Sequence, residues 1–387
     1  MHNLSPSVIC TSPKYIEKLL KYLDVEYTMH GRLFSQSGFD QHNHLVNINS
    51  LFSSFPNFDL VDRTSTVLHP LKYYIDRPWR IPDQEISLEQ AMQSRVENIL
   101  TEPGPVNIFW SGGIDSTAVV TAFLKYCNDL SRIRILYSPW STYEHPEFLN
   151  FIKQWPKIDL VDISGDVYMN HEFDGVFVTG DGGDETNATL DQSFFSEHGA
   201  DTLFKSWKDF FYKQNHNIKF IEFCEQYFTL SGRPISTVLE AKWWFYISCK
   251  MTSIMYNLRL PYFISSHQNF DHKKLISFFN CDEYESFIYF NTDKILPTKD
   301  YISWKQYLKD FCYQHNKLET WYQRHRKVYS HQIIEYTFKK IALVDSRFLM
   351  ILSDGSLMQT PSLPLFSAKE LKQHCHYQLL SVINDPS

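Results

Sequence analysis

Apolar stretches alternate regularly with polar, glycine-bearing turns through the middle of the chain. Val106 to Trp110 is short and apolar apart from Asn107, and reads as a buried strand. Small residues and turn formers follow from Ser111 to Ser116, and Thr117 to Tyr126 is an apolar-rich run suited to a helix packed on a sheet. The pattern then repeats: Arg134 to Ser138 as a second strand, Glu147 to Trp155 as a helix and Ile158 to Ile163 as a third strand. Gly175 to Thr179 forms a fourth, leading into Gly180-Asp181-Gly182-Gly183-Asp184-Glu185. Strand–helix alternation at this spacing predicts an α/β fold built on a doubly wound parallel sheet. Ligands of such sheets bind at the carboxyl ends of the strands, where both glycine-rich turns fall.

Upstream, Ile86 to Gln90 opens a helix that runs to Leu100, with Ser87 and Gln90 at capping-box spacing. Pro103-Gly104-Pro105 stops it. Residues 1–85 are expected to form a small α+β region. Its candidates are a helix from Tyr15 to Tyr22, short strands at Val25–Tyr27 and Gly31–Ser35, and a strand from Val67 to Tyr74. Pro70 confines that last strand to an edge, and Pro78 and Pro82 mark a linker. Past residue 200 helical patterns dominate: Leu203–Lys213, Ile218–Tyr227, Thr237–Met255, Leu275–Phe279, Trp304–His315 and Ile333–Lys340. The stripe Trp243-Trp244-Phe245-Tyr246 reads as core packing. The expected organisation is therefore the N-terminal region 1–85, a central domain 86–345 and a C-terminal extension 346–387.

Composition narrows the class. The 387 residues allow two domains or one large one, and an apolar content of 43% supports a core. A net charge of −7 leaves no footprint for general nucleic-acid binding. No apolar run approaches the ~20 residues of a membrane helix, so no membrane association is expected. The start of the chain shows no secretory signal pattern. The seven cysteines are scattered and none forms C-x-x-C, which points to a reduced, cytoplasmic protein without a cysteine zinc site. His42-Asn43-His44 and His374-Cys375-His376 lack a matching second half for metal binding.

A strand, a tight glycine turn and a helix together make an anion cradle. Glycine lets the backbone approach a ligand closely, and the amides at the helix start, with the helix dipole behind them, attract phosphate. Ser111-Gly112-Gly113-Ile114-Asp115-Ser116-Thr117 is not a Walker loop, because no lysine follows the glycines. In Gly180 to Glu185, acidic residues follow a second glycine turn, a composition suited to Mg²⁺ beside phosphate.

The first string resembles the PP-loop of the ATP pyrophosphatases. Together with Gly180 to Glu185, it resembles the synthetase domain of class B asparagine synthetases, whose relatives include β-lactam synthetases and lasso-peptide cyclases; the likeness spans roughly residues 65 to 340. The resemblance implies a HUP-like (adenine nucleotide alpha hydrolase-like) fold with helical C-terminal additions. It implies ATP and Mg²⁺ as cofactors, with Asp115 and Asp184 as metal ligands. Ser111, Gly112, Gly113, Asp115, Ser116, Thr117, Gly182 and Gly183 would hold the nucleotide. Asn257-Leu258-Arg259-Leu260-Pro261-Tyr262-Phe263 is similar to a family segment that carries an acidic residue where this chain has Asn257; Arg259 is a site candidate there, and Glu240 or Glu185 could compensate for the lost charge. Arg324 to Ser330 resembles the segment whose lysine stabilises developing charge, making Lys327 the candidate and Lys299 the reserve.

The family's glutaminase domain uses an N-terminal cysteine. Here residue 2 is His2 and the first cysteine is Cys10, so the N-terminal region is expected to be a remnant without that activity. Val67 to Ile75 resembles the closing strand of that domain. The implied activity is that of an AMP-forming carbon–nitrogen ligase. A small-molecule carboxylate, aspartate or another acid, is adenylated and then amidated by ammonia, by a substrate amine or by ammonia from a separate donor. Two other readings compete: a PP-loop enzyme that modifies a nucleobase or tRNA, and a catalytically degenerate nucleotide-binding protein, motivated by Asn257 and the reduced N-terminal region.

Overall fold

A computed structural model describes residues 8–9, 62–66, 77–163, 173–187, 194, 198–214, 216, 218–252, 254, 274–296, 305–319, 322, 348–351 and 357–360. The chain forms two compact units, each discontinuous in sequence. One comprises residues 81–189 and 261–330, the other residues 1–80, 190–260 and 331–387.

Among the described residues, the first unit is built on five strands: β1 (Val106–Trp110), β2 (Ile133–Tyr137), β3 (Asp159–Asp162), β4 (Val176–Thr179) and β5 (Leu275–Ser277). All neighbours pair in parallel, in the spatial order β3-β2-β1-β4-β5. Central strands of a parallel sheet are covered on both faces and read as nearly continuous apolar runs. β4 is buried at every position, and β1 at all but Phe109. Asn107 is the polar exception in β1. Its Nδ2 donates to the carbonyls of Asp174 (2.8 Å) and Val176 (3.1 Å), and its Oδ1 accepts from Arg134 Nη1 at 3.0 Å. The buried amide thus joins three strands and is satisfied.

Helices flank this sheet: α1 (Leu88–Leu100), α2 (Ile114–Tyr126), α3 (Pro139–Glu144), α4 (Pro146–Ile152), α5 (Gly183–Thr186), α6 (Asp282–Phe290) and α7 (Gln306–Asn316). The Ser87–Gln90 capping box opens α1. α1 packs on α2 and α6, and α7 packs on α2 with Leu308, Phe311 and Cys312 buried. The architecture is an α/β fold with a parallel sheet flanked by helices. From β1 the chain steps outward through β2 to β3, then returns to the other side of β1 for β4 and β5. The strand order therefore reverses between β1 and β4, and their carboxyl ends border the crevice where such sheets bind ligands.

One expected element is of the wrong type. Leu275 to Phe279, read as helix, begins with β5, and the Phe278 N–H goes to Thr179 O at 2.9 Å. A five-residue apolar run has no period of its own, and pairing along β4 decides it. Two other expected helices are interrupted. Leu203 to Lys213 divides into a 3₁₀ turn (Ala200–Phe204) and a helix (Trp207–Lys213), because the Ser206 hydroxyl caps the Asp209 N–H. Thr237 to Met255 begins as an α-helix (Val238–Phe245) under a Thr237–Glu240 capping box, then widens into a π turn (Tyr246–Lys250). The elements expected at Tyr15–Tyr22, Val25–Tyr27, Gly31–Ser35, Val67–Tyr74 and Ile333–Lys340 lie outside the described residues.

The second unit has an aromatic core. Trp207 meets Phe228 edge to face with centroids 4.8 Å apart, and Tyr227 stacks on Phe245 at 5.9 Å. Asp62 accepts the N–H groups of Thr64 and Thr66 and the Tyr227 hydroxyl at 2.6 Å, fixing residues 62–66 to the helix Ile218–Thr229. Val8–Ile9, Phe348–Ile351 and Leu357–Thr360 form a small antiparallel sheet. Among the described residues, the cysteines are buried thiols, and no helix is long and apolar enough to cross a membrane.

Candidate functional site

The site begins where β1 ends. Trp110 Nε1 donates to Thr117 Oγ1 at 3.1 Å, tying the strand's last residue to α2 across the intervening turn. Gly112 has φ +86°, and a β-carbon there would lie 2.5 Å from Ser141 O. Both the conformation and the space demand glycine. Ser111 Oγ and Ser116 Oγ share a 2.9 Å hydrogen bond, and the Ser111 N–H donates to Ser116 Oγ at 3.1 Å. These bonds close the turn on the start of the helix. Gly113 is the N-cap of α2 and no side chain caps it, so the first-turn amides point to the mouth of the turn with the positive end of the helix dipole. Thr117 is buried, with its hydroxyl turned inward to Trp110, and braces the turn rather than facing its mouth.

The second turn follows β4 and lies against the first. A β-carbon on Gly180 would come within 2.8 Å of Ser116 N, and one on Gly183 within 2.4 Å of Asp115 Oδ1. Gly182, at φ +92°, turns the chain into α5. Small residues on the β4 side thus let the two turns touch, and Asp115 from α2 meets Asp184 from α5.

Their meeting point is held by Lys305, the residue before α7. Its Nζ is 2.5 Å from Asp115 Oδ2 and also bonds Asp184 Oδ1. Lys305 is only 5% exposed, and its backbone is left-handed at φ +56°. For a residue with a β-carbon this conformation is costly, and it persists only where the surroundings enforce it. Burial alone would weaken the ammonium, but the charges of Asp115 and Asp184 outweigh it and hold Lys305 protonated well above the usual lysine range.

Asp181 stands beside this triad. Its side chain reaches solvent, and Ser277 Oγ donates to its backbone carbonyl at 2.6 Å. The surrounding protein strips part of its water and Glu185, Asp115 and Asp184 add like charge, so its carboxyl is pushed up to about 6 despite a bond from Thr179. Glu185 is buried in the same turn of helix. Below α5 lies a hydroxyl network. Tyr284 and Tyr307 share a 2.7 Å bond, and the Asn187 amide and Thr186 hydroxyl donate to Gly183 O at 2.6 and 2.9 Å. Tyr284 also bonds Thr186 and Tyr307 bonds Asn187; burial raises both phenols, which stay neutral. This network fixes the short helix that carries Asp184.

Among the described residues, no group of three or more His, Cys, Asp or Glu is arranged to hold a metal. Two carboxylate oxygens converging on one point nevertheless fit Mg²⁺, which takes one or two carboxylates and completes its octahedron with water and phosphate oxygens. In this structure the Lys305 ammonium occupies that point.

The fold gathers Ser111, Gly112, Gly113, Asp115, Ser116, Gly182, Gly183, Asp184 and Glu185 at adjacent strand ends. Arg259, Lys327, the reserve Lys299 and Asn257 lie outside the described residues. The Glu240 carboxylate caps its own helix, accepting the N–H groups of Ser236 and Thr237, both at 2.9 Å. Sequence reasoning missed Lys305 and Asp181. Asp181 lies inside the glycine–acid string, and its signal was a third carboxylate there. Lys305 gave none beyond its place at the start of an expected helix. A comparison of the chain with protein-family models, with curated proteins and with solved structures returns no match.

Proposed function

We propose that the sheet unit is a PP-loop ATP-binding domain of the asparagine-synthetase type, and that the protein is an AMP-forming amidoligase. The observation that carries this reading is the convergence of Asp115 and Asp184, from glycine turns on adjacent parallel strands, upon a single cation. A carboxylate substrate attacks the α-phosphate of ATP, giving an acyl-adenylate and pyrophosphate. An amine then attacks the acyl carbon, and AMP leaves.

The chain's part is alignment and charge. The first-turn amides of α2, opening from Gly112 and Gly113, face the phosphates, with Ser111 at the rim. Mg²⁺, held by Asp115 and Asp184, neutralises phosphate charge when bound. The Lys305 ammonium supplies a second positive charge beside the pyrophosphate leaving group. Asp181, with its carboxyl near 6, is ionised at neutral pH and basic enough to take the proton released by the attacking amine. Glu185 raises the basicity of Asp181 by its charge. By the family resemblance alone, Lys327 stabilises the charge that develops during adenylation and amine attack, and Arg259 is a further catalytic candidate. The nitrogen comes from free ammonia, a substrate amine or a separate ammonia donor.

The test is incubation with ATP, Mg²⁺, ammonia or amines, and a panel of carboxylic acids, following AMP and pyrophosphate together. The expected result is stoichiometric release of both with at least one acid, abolished in D115N. If no acid elicits pyrophosphate and D115N binds ATP as wild type does, the reading is wrong.

A further inference from the structure

Lys305 poses a problem that the proposed chemistry leaves open, because its ammonium occupies the point the metal would need. Nζ lies 2.5 Å from Asp115 Oδ2 and bonds Asp184 Oδ1, whereas a magnesium ion would sit ~2.0–2.1 Å from the same oxygens. The two cations exclude each other.

We propose that Lys305 is an exchangeable internal counter-ion: in the nucleotide-free protein it fills the metal position between Asp115 and Asp184, and it yields that position to a divalent ion arriving with nucleotide, its ammonium moving onto a phosphate oxygen. This inference rests on the reading of the site as an ATP site.

Three observations carry it. The first is charge. Lys305 Nζ bonds both Asp115 and Asp184, and Asp115, Asp184 and Glu185 all add like charge at Asp181, so the turn is unstable without a cation and repels a phosphate that brings none. The second is anchorage. Leu308 and Lys309 N–H groups donate to Lys305 O at 3.0 and 3.1 Å, and α7 is fixed on α2 through Leu308, Phe311 and Cys312. The Cα stays in place, and only the four-carbon stem needs to turn. The third is backbone conformation. The left-handed φ of +56° aims a side chain from the start of α7 into the acidic pair, which a lysine on the helix face would not reach. The consequence is mutual dependence: metal binds poorly until nucleotide gives the ammonium somewhere to go, and by linkage each ligand strengthens the other.

The experiment titrates Mn²⁺ into the full chain without nucleotide, following free Mn²⁺ by electron paramagnetic resonance, with thermal melting in parallel. Wild type is expected to bind Mn²⁺ weakly and to melt at the same temperature with or without it. K305Q is expected to bind at least tenfold more tightly and to melt lower without metal, with Mn²⁺ restoring the loss. K305Q/D115N should lose the gain. A K305Q protein that is unfolded alone but folded by Mn²⁺ supports the proposal through the Mn²⁺ concentration needed for folding. A folded K305Q that binds no tighter than wild type, or an unfolded one that Mn²⁺ does not rescue, overturns it. Because no nucleotide is present, the two ideas fail separately. Tightening in K305Q, with no pyrophosphate release by the wild type, removes the ligase and keeps the exchange. Normal turnover without tightening does the reverse.

Discussion

Asp181 and Gly183 sit two positions apart in the turn after β4, and each makes a separable prediction. An aspartate whose carboxyl is raised to about 6 binds its proton more tightly in the folded protein than in the unfolded chain. Between about pH 4 and 6 the native state therefore holds the extra proton, and stability falls as pH rises through that window, an effect damped by the side chain's contact with water. In the proposed reaction the pH dependence has the opposite sign, because the ionised form is the base. Single-turnover amide formation is expected to rise with pH and level off above an inflection near 6. D181N should flatten the profile and slow that step by about 10²–10⁴-fold. Pyrophosphate release without amine should survive. A D181N profile that keeps the inflection assigns it to another group. Gly183 tests the close approach of the two turns. Its own conformation is helical, where alanine is favoured by about 1 kcal/mol, so G183A is not expected to lower stability through propensity. The added β-carbon would instead fall 2.4 Å from Asp115 Oδ1 and displace that carboxylate. ATP–Mg²⁺ affinity, measured calorimetrically, should fall tenfold or more while the melting temperature changes little.

At the scale of elements, the α1 cap separates scaffold from site. Ser87 Oγ accepts the Gln90 N–H at 3.2 Å and Gln90 Oε1 accepts the Ser87 N–H at 2.8 Å. S87A should cost about 1 kcal/mol, seen as a fall of roughly 2–4 °C in melting temperature, with no change in AMP formed per folded molecule. This cap was legible in the sequence because it is local: both partners lie within one turn. The same holds for β1, β4 and the two glycine turns, whose residues specify their conformations within a few positions. Legibility ended where a partner distant in sequence decides. β5 is a strand because Leu275 to Ser277 lies along β4, not because of its own pattern. Ser206 breaks an expected helix by competing for a backbone N–H, a choice that serine leaves open. Asp115 and Asp184 were legible as a pair through the family resemblance that the two glycine turns carry. Lys305 was not, because its role needs α7 docked on α2 and a left-handed residue ahead of the helix, and neither leaves a mark in residue type.

At the scale of the whole molecule, the charge balance counts against the rival in which a nucleobase is adenylated. Binding RNA depends on lysines and arginines displacing condensed counterions from phosphates, and this chain has 37 basic against 44 acidic residues. Within the site the imbalance is sharper, since one ammonium, Lys305, stands between Asp115 and Asp184 while Asp181 and Glu185 lie close by. In the proposed reaction ATP would enter such a place with its own magnesium, compact enough for one divalent ion to offset its charge. A polynucleotide lays a line of phosphates across the rim, and no single ion at the base of the crevice can neutralise them. Bulk transfer RNA is therefore expected to show no mobility shift at near-physiological salt with protein up to about 10 µM, a level within the ~10⁻⁶–10⁻⁴ M range in which nucleic-acid-binding proteins form non-specific complexes. Adding that RNA to protein, ATP and Mg²⁺ should release no pyrophosphate, whereas the correct small carboxylate should. Pyrophosphate release that requires RNA, and stops after ribonuclease treatment, would show that the acidic crevice serves a base carbonyl and that a carboxylate is not its substrate.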